Sequence, residues 1–362
     1  MGIIYEAPPL TPEEERVLAS IEEARARVSG ALQGFLQPAP AADAPSPSIP
    51  AMASPAAWYS SFVSEAWMSD VLQLSSDSQF DYSKSLIQHL HRMLVKDETK
   101  NPGKWRRGGG RVSSSRTGEI VYVGAEARLI PALMRALVEK LNQSGGDPPA
   151  LIRAAMAHLN LIMIHPFIDG NGRTARCLHT LVLTREWNLE PQFCAIEEYL
   201  RRSTPAYHQV MKDIGGGSWN PDNDARPWIR FCLTAHHWQV EAILRHTRET
   251  ERLWEEVQLL VVNQGLPERT LFALAEAAAG NKVQAATYGP FADVSQDVAA
   301  TDLAELVARG LLVPRGKRMP CFVASDALKA LRDSTREPDS PIEDPFGLIQ
   351  NRVRNALPLS RG

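Results

Sequence analysis

The chain has 362 residues, 44% apolar and 22% charged, with a formal net charge of −3, a balance that suits two or three packed domains and excludes a fibrous, wholly disordered or small stapled protein. Cys177, Cys194, Cys232 and Cys321 stand far apart with no C-x-x-C pair, so neither a zinc ribbon nor a disulfide framework is indicated and a reducing cytoplasm is expected. The start MGIIYEAPPL has no basic head followed by an apolar core, Glu6 occupies the place where a myristoylation signal needs Ser or Thr, and no apolar run reaches ~18 residues; no export, membrane span or lipid anchor is expected.

Residues 11–36 predict one amphipathic helix with Thr11 as N-cap, Pro12 at the first helical position and Glu14 as capping-box partner. Residues 37–55, rich in Pro, Ala and Ser, read as a linker or extended arm. Two helical stretches follow, 57–74 and 83–97, each with apolar residues at three-to-four spacing. Residues 98–124 are glycine-rich and basic, and the β-prone runs Arg111–Ser114 and Glu119–Val123 around Thr117-Gly118 predict a small hairpin. Helices are expected at 129–143 and 149–164, the second stopping near His165 because Pro166 disfavours helical geometry in the residue before it. Further helices are expected from Gly172 to Trp187, near 195–213, and over 226–260 with a clean start at Asp224. The whole reads as mainly α: an N-terminal helix and arm (1–56), a helical domain with one hairpin (57–260), a smaller module (261–333) and a loosely ordered tail (334–362).

The sharpest feature is HPFIDGNGRTAR, residues 165–176, between two helical patterns. Gly170 and Gly172 let backbone N–H groups approach a ligand closely, and the new helix adds free N–H groups and a positive dipole end: an anion site suited to phosphates. Arg173 and Arg176, three residues apart, share one helix face at that mouth. Asp169 offers a hard oxygen for Mg²⁺, and His165 is the titratable group in the loop suited to accepting a proton near neutral pH. Base, metal ligand, anion nest and two cations together describe a phosphoryl or nucleotidyl transfer site.

The same string resembles the active-site signature of the Fic family, H-P-F-x-[D/E]-G-N-G-R-x-x-R, and matches it at every fixed position. The resemblance covers about residues 57–250 and implies a helical Fic-type fold with a β-hairpin flap. It also implies transfer of AMP from ATP, with Mg²⁺, to a Ser, Thr or Tyr hydroxyl of a target protein. On that resemblance His165 takes the hydroxyl proton, Asp169 holds Mg²⁺, and Gly170, Asn171 and Gly172 bind phosphate through backbone N–H and the Asn side chain. Arg173 and Arg176 neutralise the departing phosphates, Tyr207 sits near the nucleotide, and Phe167 anchors the loop. An exposed strand over Glu119, Ile120, Val121, Tyr122 and Val123 offers an edge to which an extended target segment can add. Family members are often held inactive by a glutamate helix that pairs with the second motif arginine. Here Ser61 and Glu65 fit that spacing, with Ala66 where Gly or Asn is usual.

Residues 267–333 resemble a winged helix-turn-helix, a frequent companion of Fic domains, with a candidate recognition helix from Ser295 to Ala308 and a wing bearing Arg315, Lys317 and Arg318. Asp297, Asp302 and Glu305 on that helix would repel phosphates, which leaves protein docking and DNA binding both open. His89, His91, His179, His236 and His237 lie in helical patterns and read as packing or surface residues. The reading is thus a cytoplasmic protein adenylyltransferase with ATP and a hydroxyl-bearing protein as partners; self-modification, DNA and a homodimer are further partners to test. The alternatives are a transferase using another phosphate-containing donor, or a DNA-binding regulator that only senses nucleotide.

Overall fold

Thr11 opens the first helix in a computed structural model of the chain, which describes residues 3–36 (side chains as far as 28), 67–77, 79–113, 118–143, 148–316, 321–338, 342 and 344–347. Its N–H donates to Glu14 Oε2 at 2.8 Å while its Oγ1 accepts from Glu14 N–H at 3.3 Å, and α1 then runs Pro12–Leu36. Glu14 has a second task. Its fully buried carboxylate accepts from Arg226 at 2.5 Å and Arg230 at 2.7 Å, tying the start of α1 to a helix more than two hundred residues on.

Among the described residues the chain divides into two units, one built from residues of 3–23, 67–240 and 344–347 and the other from residues of 24–36 and 241–342. In the first, α2 (Met68–Ser75), α3 (Lys84–Leu94), the antiparallel pair β1 (Arg111–Ser113) and β2 (Ile120–Val123), α4 (Ile130–Leu141), α5 (Ala150–Ile164) and α6 (Asn171–Trp187) follow the predicted order. Helix α5 is apolar nearly all round, the pattern of a buried helix, and α6, though it carries Thr174, His179, Thr180 and Thr184, buries most of its length as well. They form the central pair of the unit, with α2, α3 and α4 packed on them. A short helix α7 (Pro191–Cys194) precedes the stretch where the sequence predicts one helix near 195–213, and that stretch holds two pieces, α8 (Glu197–Arg202) and α9 (Thr204–Gly215). Pro191 and Pro205 each stand in a first turn, where a missing N–H costs nothing, and each starts a new helix instead of continuing an old one. Helix α10 (Arg226–Asn263) begins as expected, with Asp224 accepting from Arg226 N–H at 2.9 Å, and its residues to Val240 belong to this unit.

The second unit holds the rest of α10, then α11 (Thr270–Ala279), α12 (Ala285–Phe291), α13 (Gln296–Ala308), the antiparallel pair β3 (Leu312–Arg315) and β4 (Cys321–Ala324), and α14 (Asp326–Thr335). Val283 exchanges both backbone hydrogen bonds with Phe322, so a third short stretch borders the hairpin. Leu274, Tyr288, Leu303, Leu306 and Leu328 are the centre of its core. Two features differ from the sequence reading. Asp302 faces inward, accepting from Arg269 at 2.8 and 2.9 Å and from Tyr288 Oη at 2.9 Å, so it does not stand on the outer face of α13. The helix α14 extends past Asp333, and beyond it Glu337 accepts from Arg248 at 2.8 and 3.0 Å and from Arg252 at 3.2 Å. A single carboxylate meeting a row of arginines thus fixes part of what reads, by composition, as a loose tail.

Candidate active site

Helix α5 stops at Ile164, and His165 takes its C-cap position in a left-handed conformation, φ 54° and ψ 57°. The preceding turn cannot continue because Pro166 follows, so the imidazole leaves the helix axis at the point where the chain turns. Phe167 is fully buried and stacks on His91, ring centroids 3.7 Å apart and planes 12° from parallel. Asn171 clamps the loop: its Oδ1 accepts from Phe167 N–H and its Nδ2 donates to Phe167 carbonyl, both at 3.0 Å. That engagement differs from a side-chain phosphate contact, and leaves Asn171 its backbone for an anion. Gly170 caps α6 at φ 77°, and a Cβ there would stand 2.5 Å from Val95 Cγ2, so both conformation and space demand glycine. Gly172 has ordinary helical geometry with room for a Cβ, unlike the special conformation its sequence context suggests. At this N-terminus the first N–H groups of α6 have no intrahelical acceptor and face the loop.

His165, Gly172 and Arg176 border a cleft of about 590 Å³ whose other walls include Val112 and Tyr122 from the hairpin and Tyr207 from α9. Burial drives the His165 imidazole down to about 4, with a backbone contact to Ile162 opposing and the Arg106 cation assisting. It is therefore neutral at pH 7. Its Nδ1 lies 3.4 Å from Ile162 carbonyl, which can only accept; Nδ1 thus carries the proton and Nε2 keeps its lone pair. Tyr207 is buried, its hydroxyl 3.2 Å from His158 Nε2, at the floor of the cleft.

Both motif arginines face carboxylates. Arg173 lies 3.6 Å from Asp169 and donates to Leu94 carbonyl at 2.9 Å. Arg176 Nε lies 3.6 Å from Oε1 of Glu197, at the start of α8. Ser61 and Glu65 lie outside the described residues; among those described, the carboxylate at Arg176 is Glu197. Asp169, with 54% of its side chain exposed, is a hard oxygen donor beside an anion nest, which fits a Mg²⁺ held by one carboxylate, phosphates and water.

The hairpin pairs Arg111 with Val123 and Val112 with Tyr122, with an irregularity before Ser113. Tyr122 Oη donates to Met163 carbonyl at 2.7 Å, anchoring β2 to the last turn of α5. The outer edge of β2 is partly taken. Val123 N–H donates to Gly217 carbonyl, and Val123 carbonyl accepts from Trp219 N–H, both at 2.9 Å. Val123 is thus engaged at that edge, while Ile120 is half exposed.

Three site residues escape the sequence reading. His91 accepts from Gly103 N–H at Nδ1 (2.8 Å), so its Nε2 carries the proton that it donates to Asp169 carbonyl (2.8 Å), and the motif loop rests on it. Glu197 supplies the carboxylate at Arg176. Arg106 is buried and donates to the carbonyls of His165 and Gly108 among others. A histidine twelve residues before a glycine, or an arginine in a basic loop, carries no signal of such use; only the fold brings them to the motif.

Residues 81–183 match the model of the Fic/DOC family. The chain is similar to "Protein adenylyltransferase fic-1" of Caenorhabditis elegans, 39% identical over 118 residues, which are 31% of this chain and 20% of that protein. It is also similar to "Protein adenylyltransferase Fic" of Drosophila willistoni, 30% identical over 156 residues, 41% of this chain and 28% of the relative. The matched stretches thus span between a fifth and just over a quarter of the curated relatives' length. Among solved structures, a Fic family protein from Desulfovibrio desulfuricans aligns at TM-score 0.47 and 16% identity, covering 89% of this chain and 99% of that one.

Proposed function

With a Fic/DOC-family domain over residues 81–183 as the premise, we propose that this chain is a protein adenylyltransferase that moves AMP from ATP to a Ser, Thr or Tyr hydroxyl of a target protein. The observation that carries the reading is the juxtaposition at one cleft of a neutral imidazole with an open Nε2, the Arg176 guanidinium and the glycine-capped helix that starts at Asn171.

In this reading the nucleotide lies in the cleft with its phosphates on the N–H groups of Asn171, Gly172 and Arg173. Nε2 of His165 accepts the proton of the target hydroxyl; the freed oxygen forms a bond to the α-phosphorus, the bond to the β-phosphate oxygen breaks, and pyrophosphate leaves. Arg173 and Arg176 turn from their carboxylates to the departing charge, and Tyr207 borders the nucleoside side of the cleft. Mg²⁺ held at Asp169 supplies charge neutralisation for the phosphates. The target segment extends β2 along Glu119–Tyr122, presenting its hydroxyl beside His165. The inhibitory role of Ser61 and Glu65 rests on their spacing in the sequence. The second unit reads as a winged helix-turn-helix, supported by three helices followed by a hairpin that Val283 borders.

The test is transfer of labelled AMP from ATP to protein in a cell lysate, comparing wild type with His165→Ala. Loss of labelling by ~10²-fold or more with ATP binding unchanged supports the reading; labelling that persists in the variant overturns it.

A further inference from the structure

Arg106 is 5% exposed, and among the described residues its guanidinium has carbonyl oxygens and no carboxylate for partners. Nε donates to His165 carbonyl at 2.6 Å, Nη1 to Gly108 carbonyl at 2.5 Å, and Nη2 to the carbonyls of Ala125 and, at 3.3 Å, Ile164. Its own N–H donates to Pro166 carbonyl at 2.9 Å. Three of these carbonyls, on residues 164–166, are at the negative end of α5, where a cation is favoured and where helical carbonyls lack partners. The other two, on Gly108 and Ala125, flank the hairpin at its two ends. A buried cation persists only when its donors are met, and here meeting them requires hairpin and helix end to be in place together.

Two glycines make room for this arrangement. A Cβ on Gly110 would lie 2.5 Å from Arg106 Nε, and one on Gly124 would lie 2.7 Å from His165 Cβ and 3.0 Å from Ile164 carbonyl oxygen. Gly124 N–H donates to Gly110 carbonyl at 2.8 Å, closing the base of the hairpin around the guanidinium. The backbone that Arg106 holds is the left-handed turn from which the imidazole enters the cleft.

We propose that Arg106 is a positioning residue for the transfer reaction, tying the base of the target-docking hairpin to the backbone of His165 so that the hairpin and the aim of the imidazole are set together. This rests on the proposed function. A Lys at 106 keeps the charge and can reach one or two carbonyls but not four, which makes Arg106→Lys the informative variant.

The experiment compares the full wild-type chain with Arg106→Lys and Gly110→Ala, reading steady-state AMP transfer, ATP binding, and amide hydrogen exchange. The expected result for each variant is a fall in kcat of at least about tenfold with the KM for ATP within about twofold. Exchange is expected to rise jointly over residues 120–125 and 162–167, while α10 keeps its wild-type protection. A structural role confined to stability would instead raise exchange across the unit, α10 included. Unchanged kcat in Arg106→Lys, or faster exchange confined to residues 104–110, would overturn the proposal. Should wild type transfer no AMP, the enzymatic reading fails, and the joint exchange response still decides whether Arg106 couples the two segments. If Arg106→Lys unfolds, Gly110→Ala, whose Cβ would press on the Arg106 guanidinium and meets no atom of His165, reads the same coupling.

Discussion

His165 is held neutral by burial at a position where Ile162 carbonyl fixes the proton on Nδ1, so base strength has been exchanged for readiness. With its value near 4, the imidazole stays neutral throughout the neutral range, and as the base of the proposed transfer it would lose activity only as pH drops through about 4 and the ring becomes charged. The transfer rate, measured at constant ATP saturation from roughly pH 6 to 8, should therefore show no inflection from this group; one near the ordinary histidine value of about 6.5 would contradict the account. At Arg176 the relevant partner is Glu197, half a turn of chain beyond Ala195 and on a different helix from the motif. In the proposed reading that carboxylate would compete with phosphate for the same guanidinium, and Glu197→Gln should then tighten ATP binding by about threefold to tenfold in calorimetry. Unchanged or weaker binding would mean that Glu197 orients Arg176 and does not compete. A parallel Glu65→Gly variant, with transfer as the readout, tests the sequence-based inhibitory pairing separately.

Helices α5, α6 and α10 meet around three fully buried histidines, His158, His179 and His236. His179 Nε2 and His236 Nε2 are 2.9 Å apart, so one donates and the other accepts, and the accepting ring cannot be charged without placing a proton against its neighbour. Burial is the main cause holding all three below the usual histidine range, His179 at about 3. The sign follows directly: between the folded values and about 6.5 the unfolded chain binds more protons, so stability is complete above about pH 6.5 and lost as pH falls. Each histidine contributes a slope approaching ~1.4 kcal/mol per pH unit, and denaturant midpoints taken at pH 7 and 5.5 should differ accordingly. His236→Gln should flatten that dependence; an equal slope in the variant would contradict it. The elements were largely legible beforehand because their signals are local: the Thr11 capping box, Pro166 after His165, Asp224 before α10. The break at Pro205 was equally local in cause, yet the pattern running through it reads as one helix near 195–213. Arg106, His91 and Glu197 were not legible, since their partners are backbone carbonyls or charges brought close only by tertiary packing.

For the molecule as a whole, the first unit is assembled from segments distant in sequence. Glu14 shows how: although burial opposes ionisation, hydrogen bonds from Arg230, Thr11 and Arg226 hold its carboxyl below the usual range. Its contribution is therefore present above the unfolded carboxylate value and lost as pH falls through the folded one. Glu14→Gln leaves two arginines facing a neutral group and should cost about 2–4 kcal/mol in urea unfolding of the full chain; a loss under about 0.5 kcal/mol would show the pair to be incidental. The motif itself was legible because twelve adjacent residues carry base, anion nest and cations, whereas the hairpin edge was only partly so, Val123 being taken by Gly217 and Trp219. The central claim is that the cleft moves AMP, and the most direct measurement gives the full chain Mg²⁺ and ATP labelled at the α-phosphate or, separately, at the γ-phosphate. The account predicts protein-bound label from the α position only, abolished in His165→Ala. Label from the γ position, or none from either in a complete lysate, would contradict it and point to another donor or to nucleotide sensing without transfer.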